Sequence, residues 1–196
     1  MCCTVPQRAI TRNVLTLELR WFGPGEISDR ELRRFAEDSR VEARVDHYLV
    51  GTGDELGIKR RGAAGLLEHK QRLAQTPVSV ARGARPLDGV AEQWRKNWPE
   101  RAREGEWTLV DKRRALRRIG SCRAELTLLR HDLLATPHLT LAIETADVHA
   151  LDQLTSGAAT LLRSYPELAT MLEHAESCGY PAWIRARWES NPRPSG

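Results

Sequence analysis

Side-chain alternation constrains this chain more than any other feature. From Leu15 it reads Leu-Thr-Leu-Glu-Leu-Arg, which places Leu15, Leu17 and Leu19 on one side of an extended backbone and Thr16, Glu18 and Arg20 on the other. The pattern then returns. Lys59 and Arg61 share a face opposite Leu56, Ile58 and Arg60. Glu68, Lys70 and Arg72 oppose Leu67, His69, Gln71 and Leu73, and Lys112 and Arg114 fall together with Val110. Arg123, Glu125 and Thr127 oppose Ala124, Leu126 and Leu128, while Thr140, Ala142 and Glu144 oppose Leu139, Leu141 and Ile143. Nearly every candidate strand therefore carries one apolar and one charged face.

The spacing predicts strands over 12–22, 41–51, 55–62, 66–73, 106–120 (long enough to hold a turn inside it), 121–132 and 138–146, with a weak strand and then a loop over 77–89. Helical spacing predicts a helix over 27–38, capped by Ser28 or Asp29, and a short helix over 90–98 that ends before Pro99. The last quarter changes period. One helix is expected over 147–165 with Asp147 as its cap, a second over 166–177 starting at Pro166 and stopped by Gly179, and a short third over 181–189. Residues 190–196 read as a tail. Antiparallel strands followed by helices make the fold class α+β, and so many strands favour a closed or nearly closed barrel. The reading is one domain over 1–196, with the barrel at 12–146 and C-terminal helices at 147–189.

Composition narrows the partners. With 196 residues, 41% apolar and 29% charged, the chain can bury a substantial core. Thirty basic residues against 26 acidic ones leave a formal charge of +4, too balanced for a generic nucleic-acid coat. No window approaches ~18 consecutive apolar residues, so no membrane span is expected. The start, Met-Cys-Cys-Thr-Val-Pro, has no secretory h-region. Cys2, Cys3, Cys122 and Cys178 form no CxxC pair; the simplest reading is a cytoplasmic protein with free thiols, the first two of them reactive if exposed. The histidines show no HxH or HExxH spacing. Surface placement is expected for His131 and His138, and a packed or rim position for His69. Trp94, Trp98, Trp107, Trp183 and Trp188 are expected in packing, mostly in or near helices, and Trp21 outside the barrel wall.

The charged faces have two readings. They can lie in water while helices cover the apolar side, or they can line the inside of a barrel whose apolar wall faces helices. Bases dominate the faces at 59–61, 68–72 and 112–114, and enclosed cations repel one another and are costly to desolvate. A polyanion would neutralise them.

At this point the chain resembles the triphosphate tunnel metalloenzyme, or CYTH-like, superfamily. Its ExExK strand looks like Thr16, Glu18 and Arg20 here. The R-x-R strand looks like Lys59 and Arg61, and the strand ending in lysine like Lys70. The second strand, often D-x-Y, looks like Val-Asp-His-Tyr, with Asp46 and Tyr48. The K-x-R strand looks like Lys112 and Arg114, the acidic strand like Glu125, and the closing E-x-E like Ala142 and Glu144.

The resemblance covers residues 14–146 and implies an eight-stranded antiparallel tunnel. In it Arg20, Lys59, Arg61, Lys70, Lys112 and Arg114 would grip a triphosphate, and Glu18, Glu125 and Glu144 would hold Mg²⁺ or Mn²⁺ for attack of water on a phosphoryl group. Each acidic pair has lost one member, to Thr16 and Ala142, and Arg20 replaces a lysine. The expected ligand is a triphosphate-bearing small molecule or inorganic polyphosphate. The reaction, if there is one, is metal-dependent phosphoanhydride hydrolysis, and no catalytic residue is assigned. The alternatives are a non-catalytic polyanion or nucleotide binder, and an RNA-binding protein using Arg117 and Arg118. Arg72 and Arg123 are expected near a tunnel mouth, and Glu68 as an internal ion-pair partner.

Overall fold

The computed structural model describes residues 13–36, 40–63, 65–82, 85–101, 103–131 and 134–190. Cys2, Cys3, residues 37 and 38 of the first expected helix and residues 191–196 of the expected tail lie outside the described residues. The elements in chain order are β1 (Val14–Pro24), α1 (Asp29–Ala36), β2 (Glu42–Leu49), β3 (Leu56–Arg61), β4 (Leu66–Val80), β5 (Leu87–Asn97), β6 (Trp107–Ile119), β7 (Cys122–His131), β8 (His138–Thr145), α2 (Leu151–Ser164), α3 (Pro166–Met171), β9 (Glu176–Ser177) and α4 (Tyr180–Ser190).

The strands follow the order β5-β4-β3-β2-β6-β7-β8-β1, and β5 pairs back onto β1, so the sheet closes into an eight-stranded antiparallel barrel. The alternation becomes an inside and an outside. Leu17, Leu19 and Trp21 of β1, Ala124, Leu126 and Leu128 of β7, and Leu139, Leu141 and Ile143 of β8 point out of the barrel. There they form one buried cluster with Leu32 and Phe35 of α1, Leu154, Ala158 and Leu161 of α2, and Leu168 of α3. Trp21 lies in that outer wall as expected, and its indole N–H donates to the Asp88 carbonyl at 2.8 Å. Two-residue loops such as the one between β6 and β7 favour primed turns, and Gly120 supplies the required positive φ of +56°.

Several expectations change. Residues 90–98 form no helix: they lie in β5 and just beyond it, and β5 is hydrogen-bonded to β4 on one side and β1 on the other. Val90, Trp94 and Trp98 mimic a helical stripe, but the two strands waiting at the barrel seam decide the outcome, since an open edge would leave backbone groups unpaired. β4 does not stop at 73. It passes a bulge at Leu73 and pairs with β5 through Val80, carrying Pro77 within it. Residues 107–119 form one uninterrupted strand.

At the helix ends, Ser28 caps α1 through a reciprocal capping box. The Glu31 N–H donates to Ser28 Oγ at 3.2 Å, and the Ser28 N–H donates to the Glu31 carboxylate at 2.8 Å. Asp147 does not cap α2, whose N-cap is Ala150; its carboxylate accepts from the His149 N–H just before the helix. The second C-terminal helix ends at Met171, and Glu176–Ser177 become β9, paired with Trp21 and Phe22 of β1.

One end of the barrel is packed with apolar side chains. Phe22, Tyr48, Val110 and Leu129 face inward there and form a separate buried cluster with Tyr180, Trp183 and Ile184 of α4. Phe22 stacks on Trp183 with centroids 4.8 Å apart, and Tyr48 stacks on Tyr180 at 5.4 Å. We call this end the floor and the opposite one the mouth. No helix among the described residues is long and apolar enough to cross a membrane.

Candidate functional site

Above the floor lies a polar interior. Nine basic side chains line it: Arg20 (β1), Arg44 (β2), Lys59 and Arg61 (β3), Lys70 (β4), Lys96 (β5), Lys112 and Arg114 (β6) and Arg123 (β7). Four acids join them, Glu18, Glu68, Glu125 and Glu144. The even-numbered positions of β1 and the inward positions of β2 to β8 converge because a strand one residue out of phase would carry its charges into the apolar outer wall. All six basic residues expected from the sequence are among the nine, and the three expected acids are among the four.

The interior is an ion-pair network. Glu18 accepts from Arg20 Nε at 3.0 Å and from Lys70 Nζ at 2.8 Å. Glu125 takes Arg20 at 3.3 Å and Arg114 at 2.9 Å. Glu68 is shared by Lys59 at 3.1 Å and Arg61 at 2.5 Å. Glu144 is paired with Lys96 and, at 2.6 Å, with Arg123. Behind this layer, fully buried Asp46 holds Lys112 at 3.1 Å and Arg44 at 2.8 Å, and Glu42 holds Arg114 at 2.6 Å. The nine bases that line the cavity thus face six acids, and the Arg72–Glu92 pair adds one of each sign, so these residues keep an excess of positive charge.

Burial and ion pairing together set the titration of these groups. Burial alone would raise the Glu18 and Glu125 carboxyls, but the surrounding cations hold both well below the usual carboxylate range: Lys70 and Arg20 at Glu18, Arg20 and Arg114 at Glu125. Burial opposes the same shift at Glu68, where Lys59 and Arg61 hold the carboxyl at about 2. The lysines move the other way. Desolvation pushes Lys112 well below the ordinary lysine value despite Asp46, and it lowers Lys59 and Lys70 despite Glu68 and Glu18. Arg20 and Arg114 are raised instead, against burial, by Glu18 and Glu125, so the cost of desolvation falls on the three lysines.

Aromatic faces complete the lower interior. Lys112 Nζ lies 3.8 Å from the Tyr180 ring centroid, and the Arg20 guanidinium carbon lies 4.6 Å from it. Lys112 also donates to the Tyr48 hydroxyl at 2.6 Å. Lys70 lies over Trp94 at 4.5 Å.

The residues present do not fit Mg²⁺ or Mn²⁺ as they stand. Among the described residues, no group of three or more His, Cys, Asp or Glu side chains is placed to hold a metal ion. Glu18, Glu125 and Glu144 are each already shared between two cationic side chains. Thr16 and Ala142, both buried, add no carboxylate on β1 and β8. A dication would have to displace these cations inside a cavity that is already positive.

Other expectations resolve residue by residue. Arg123 lines the mouth, but Arg72 pairs with Glu92 deeper in the barrel at 3.0 Å. His131 is buried rather than on the surface, and its Nε2 lies 2.7 Å from Thr108 Oγ1. Arg117 donates to the Tyr165 hydroxyl at 2.5 Å and lies over the Phe35 and Tyr165 rings, so it helps fasten α1 and α2 rather than forming an open basic patch. Sequence reasoning missed Arg44, Lys96 and Glu92 as interior charges and Tyr180 as part of the site. Glu92, Trp94 and Lys96 alternate like every other strand, and that signal could have found them.

No family model matches the sequence, and no curated protein matches it. Among solved structures, the chain is similar to the S. pombe Pct1 RNA triphosphatase, with a TM-score of 0.44 at 10% identity over 86% of this chain and 87% of that one. It is also similar to Pct1 in complex with the Spt5 CTD, with a TM-score of 0.41 at 10% identity over 84% and 87% of the two chains.

Proposed function

We propose that the barrel is a binding socket for a triphosphate-type anion, either a triphosphate-bearing small molecule or inorganic polyphosphate. One observation carries this reading. Cationic side chains from seven strands converge in one enclosed interior that its own carboxylates do not neutralise. Desolvated lysines with lowered pKa values gain most from an anionic guest, because each phosphate oxygen offers both charge and an acceptor. Arg20, Lys59, Arg61, Lys70, Lys112 and Arg114 are the residues we assign to the grip, and Lys96 joins them.

The ion pairs close the interior down to about 80 Å³, while the mouth next to it offers about 830 Å³. An anion therefore works by exchange: it draws bases away from carboxylates rather than filling a void. This favours binding that needs no divalent metal. Hydrolysis would be the finer reading, and it would need a metal held by Glu18, Glu125 and Glu144 after such an exchange.

The test is a panel of tripolyphosphate, ATP and thiamine triphosphate, scored for binding by calorimetry and for phosphate release, with Mn²⁺ and with chelator. Binding of at least one member that persists in chelator is expected. No binding by any member, in either condition, would end the proposal. Phosphate release with Mn²⁺ that Glu18→Ala abolishes would assign the hydrolase instead.

A further inference from the structure

The packed floor restricts what can use the socket. Among the described residues, α4 packs Tyr180, Trp183 and Ile184 against inward side chains at the far end of the barrel, while the mouth at the other end is wide. A chain of phosphates that enters from the mouth then meets this packed end with its free phosphoryl terminus. What waits there is Tyr180. It lines the cavity, it is 6% exposed, and its hydroxyl has no hydrogen-bond partner among the described residues. Its ring is already fixed by Lys112 and Arg20 on its face and by contacts with Phe22, Tyr48 and Trp183. A buried phenol without a partner is destabilising unless something completes it.

Resting on the function proposed above, we propose that Tyr180 is a ligand-binding residue whose hydroxyl donates to the free terminal phosphoryl group, making this a socket for end-exposed polyphosphates. The hydroxyl remains protonated throughout the accessible pH range, since burial raises its pKa further. It is thus a neutral donor among cations. It adds an oriented hydrogen bond at the terminus without adding to the charge repulsion that Lys112 and Arg20 already carry.

The experiment compares the parent protein with Tyr180→Phe, using inorganic tripolyphosphate and a dinucleoside triphosphate capped at both ends, with Kd measured by calorimetry in chelator. The substitution keeps the ring and removes one unpartnered hydroxyl, so the unliganded melting temperature should hold or rise. Tripolyphosphate should bind Tyr180→Phe about 10-fold more weakly than the parent. The capped ligand should bind both proteins alike, or neither, because it has no terminus to present. Taking the ratio of variant to parent for each ligand removes the difference in ligand charge. Equal tripolyphosphate affinities for the two proteins would overturn the assignment while leaving the anion socket standing. The same loss for capped and uncapped ligands would overturn end-first binding. A parent that binds no tripolyphosphate would remove the socket itself, and this inference with it.

Discussion

Glu68 shows how much of this interior is held by single charges. It is almost fully buried and shared between Lys59 and Arg61, two bases that would otherwise repel each other. Glu68→Gln keeps the shape and removes the charge. We expect a loss of about 3 kcal/mol in urea unfolding, because two partly buried cations lose the buried carboxylate they share. Tripolyphosphate should restore more stability to the variant than to the parent; a variant as stable as the parent would reduce the pair to a solvated contact. The same residue sets an acid limit. Its folded pKa of about 2 lies below its reference value of 4.5, so its contribution is complete above about pH 4.5 and is lost as pH falls towards 2. The shift corresponds to about 3 kcal/mol, and this part of the acid-unfolding slope should be missing from Glu68→Gln. The parity of such residues is legible in the sequence, because alternation alone places Glu68 beside Lys70 and opposite Leu67. Their partners are not, because cross-strand register depends on loop geometry and on neighbours distant in sequence.

At the scale of elements, the seam between β1 and β5 is the informative place. Their pairing ends at Leu19 and Ala91, where the strands separate, and two residues of β9 fill the wedge. Ser177 ties the two sides: its Oγ accepts from the Val90 N–H at 2.8 Å and donates to the Arg20 carbonyl at 2.9 Å. Gly89 allows the approach, since a Cβ there would lie 2.8 Å from Leu19 Cδ1 and 3.2 Å from Ser177 Oγ. Ser177→Ala leaves a backbone donor and an acceptor unpaired, and should cost about 1–3 kcal/mol with faster amide exchange at Val90. Unchanged exchange would mean that water takes over the role. The strands β1 to β4 and β6 to β8 are legible in the sequence because each repeats the two-residue period. β5 is not, because Val90, Trp94 and Trp98 also satisfy a four-residue step and only the unfilled seam breaks the tie. The helix α4 is legible as a helix, but nothing in its spacing says that it stops the barrel. That follows from inward-facing aromatics on β1 and β2, whose contacts are made across the whole chain.

For the molecule as a whole, the barrel behaves as a charged container whose stability depends on what it holds. Lys59, Lys70 and Lys112 have folded pKa values below the 10.5 of a free lysine. Their protonated forms therefore cost stability below those lowered values, and the cost fades as pH rises towards 10.5. An anion that neutralises their surroundings raises them again. Binding should thus take up protons above the lowered values, and affinity should fall as pH rises through them. At a tripolyphosphate concentration of about 100 Kd, linkage supplies about 2.7 kcal/mol, which for a chain of this size raises Tm by about 5–10 °C. The rise should survive chelator, shrink with added salt because several cations share the contact, and shrink again as pH rises through the lowered lysine values towards 10.5. Differential scanning fluorimetry across pH, run with and without tripolyphosphate, reads all three dependences at once. A shift that grows with alkaline pH would place the bound charge on groups other than these lysines, and a shift that appears only with Mn²⁺ would move it from the bases to the carboxylates.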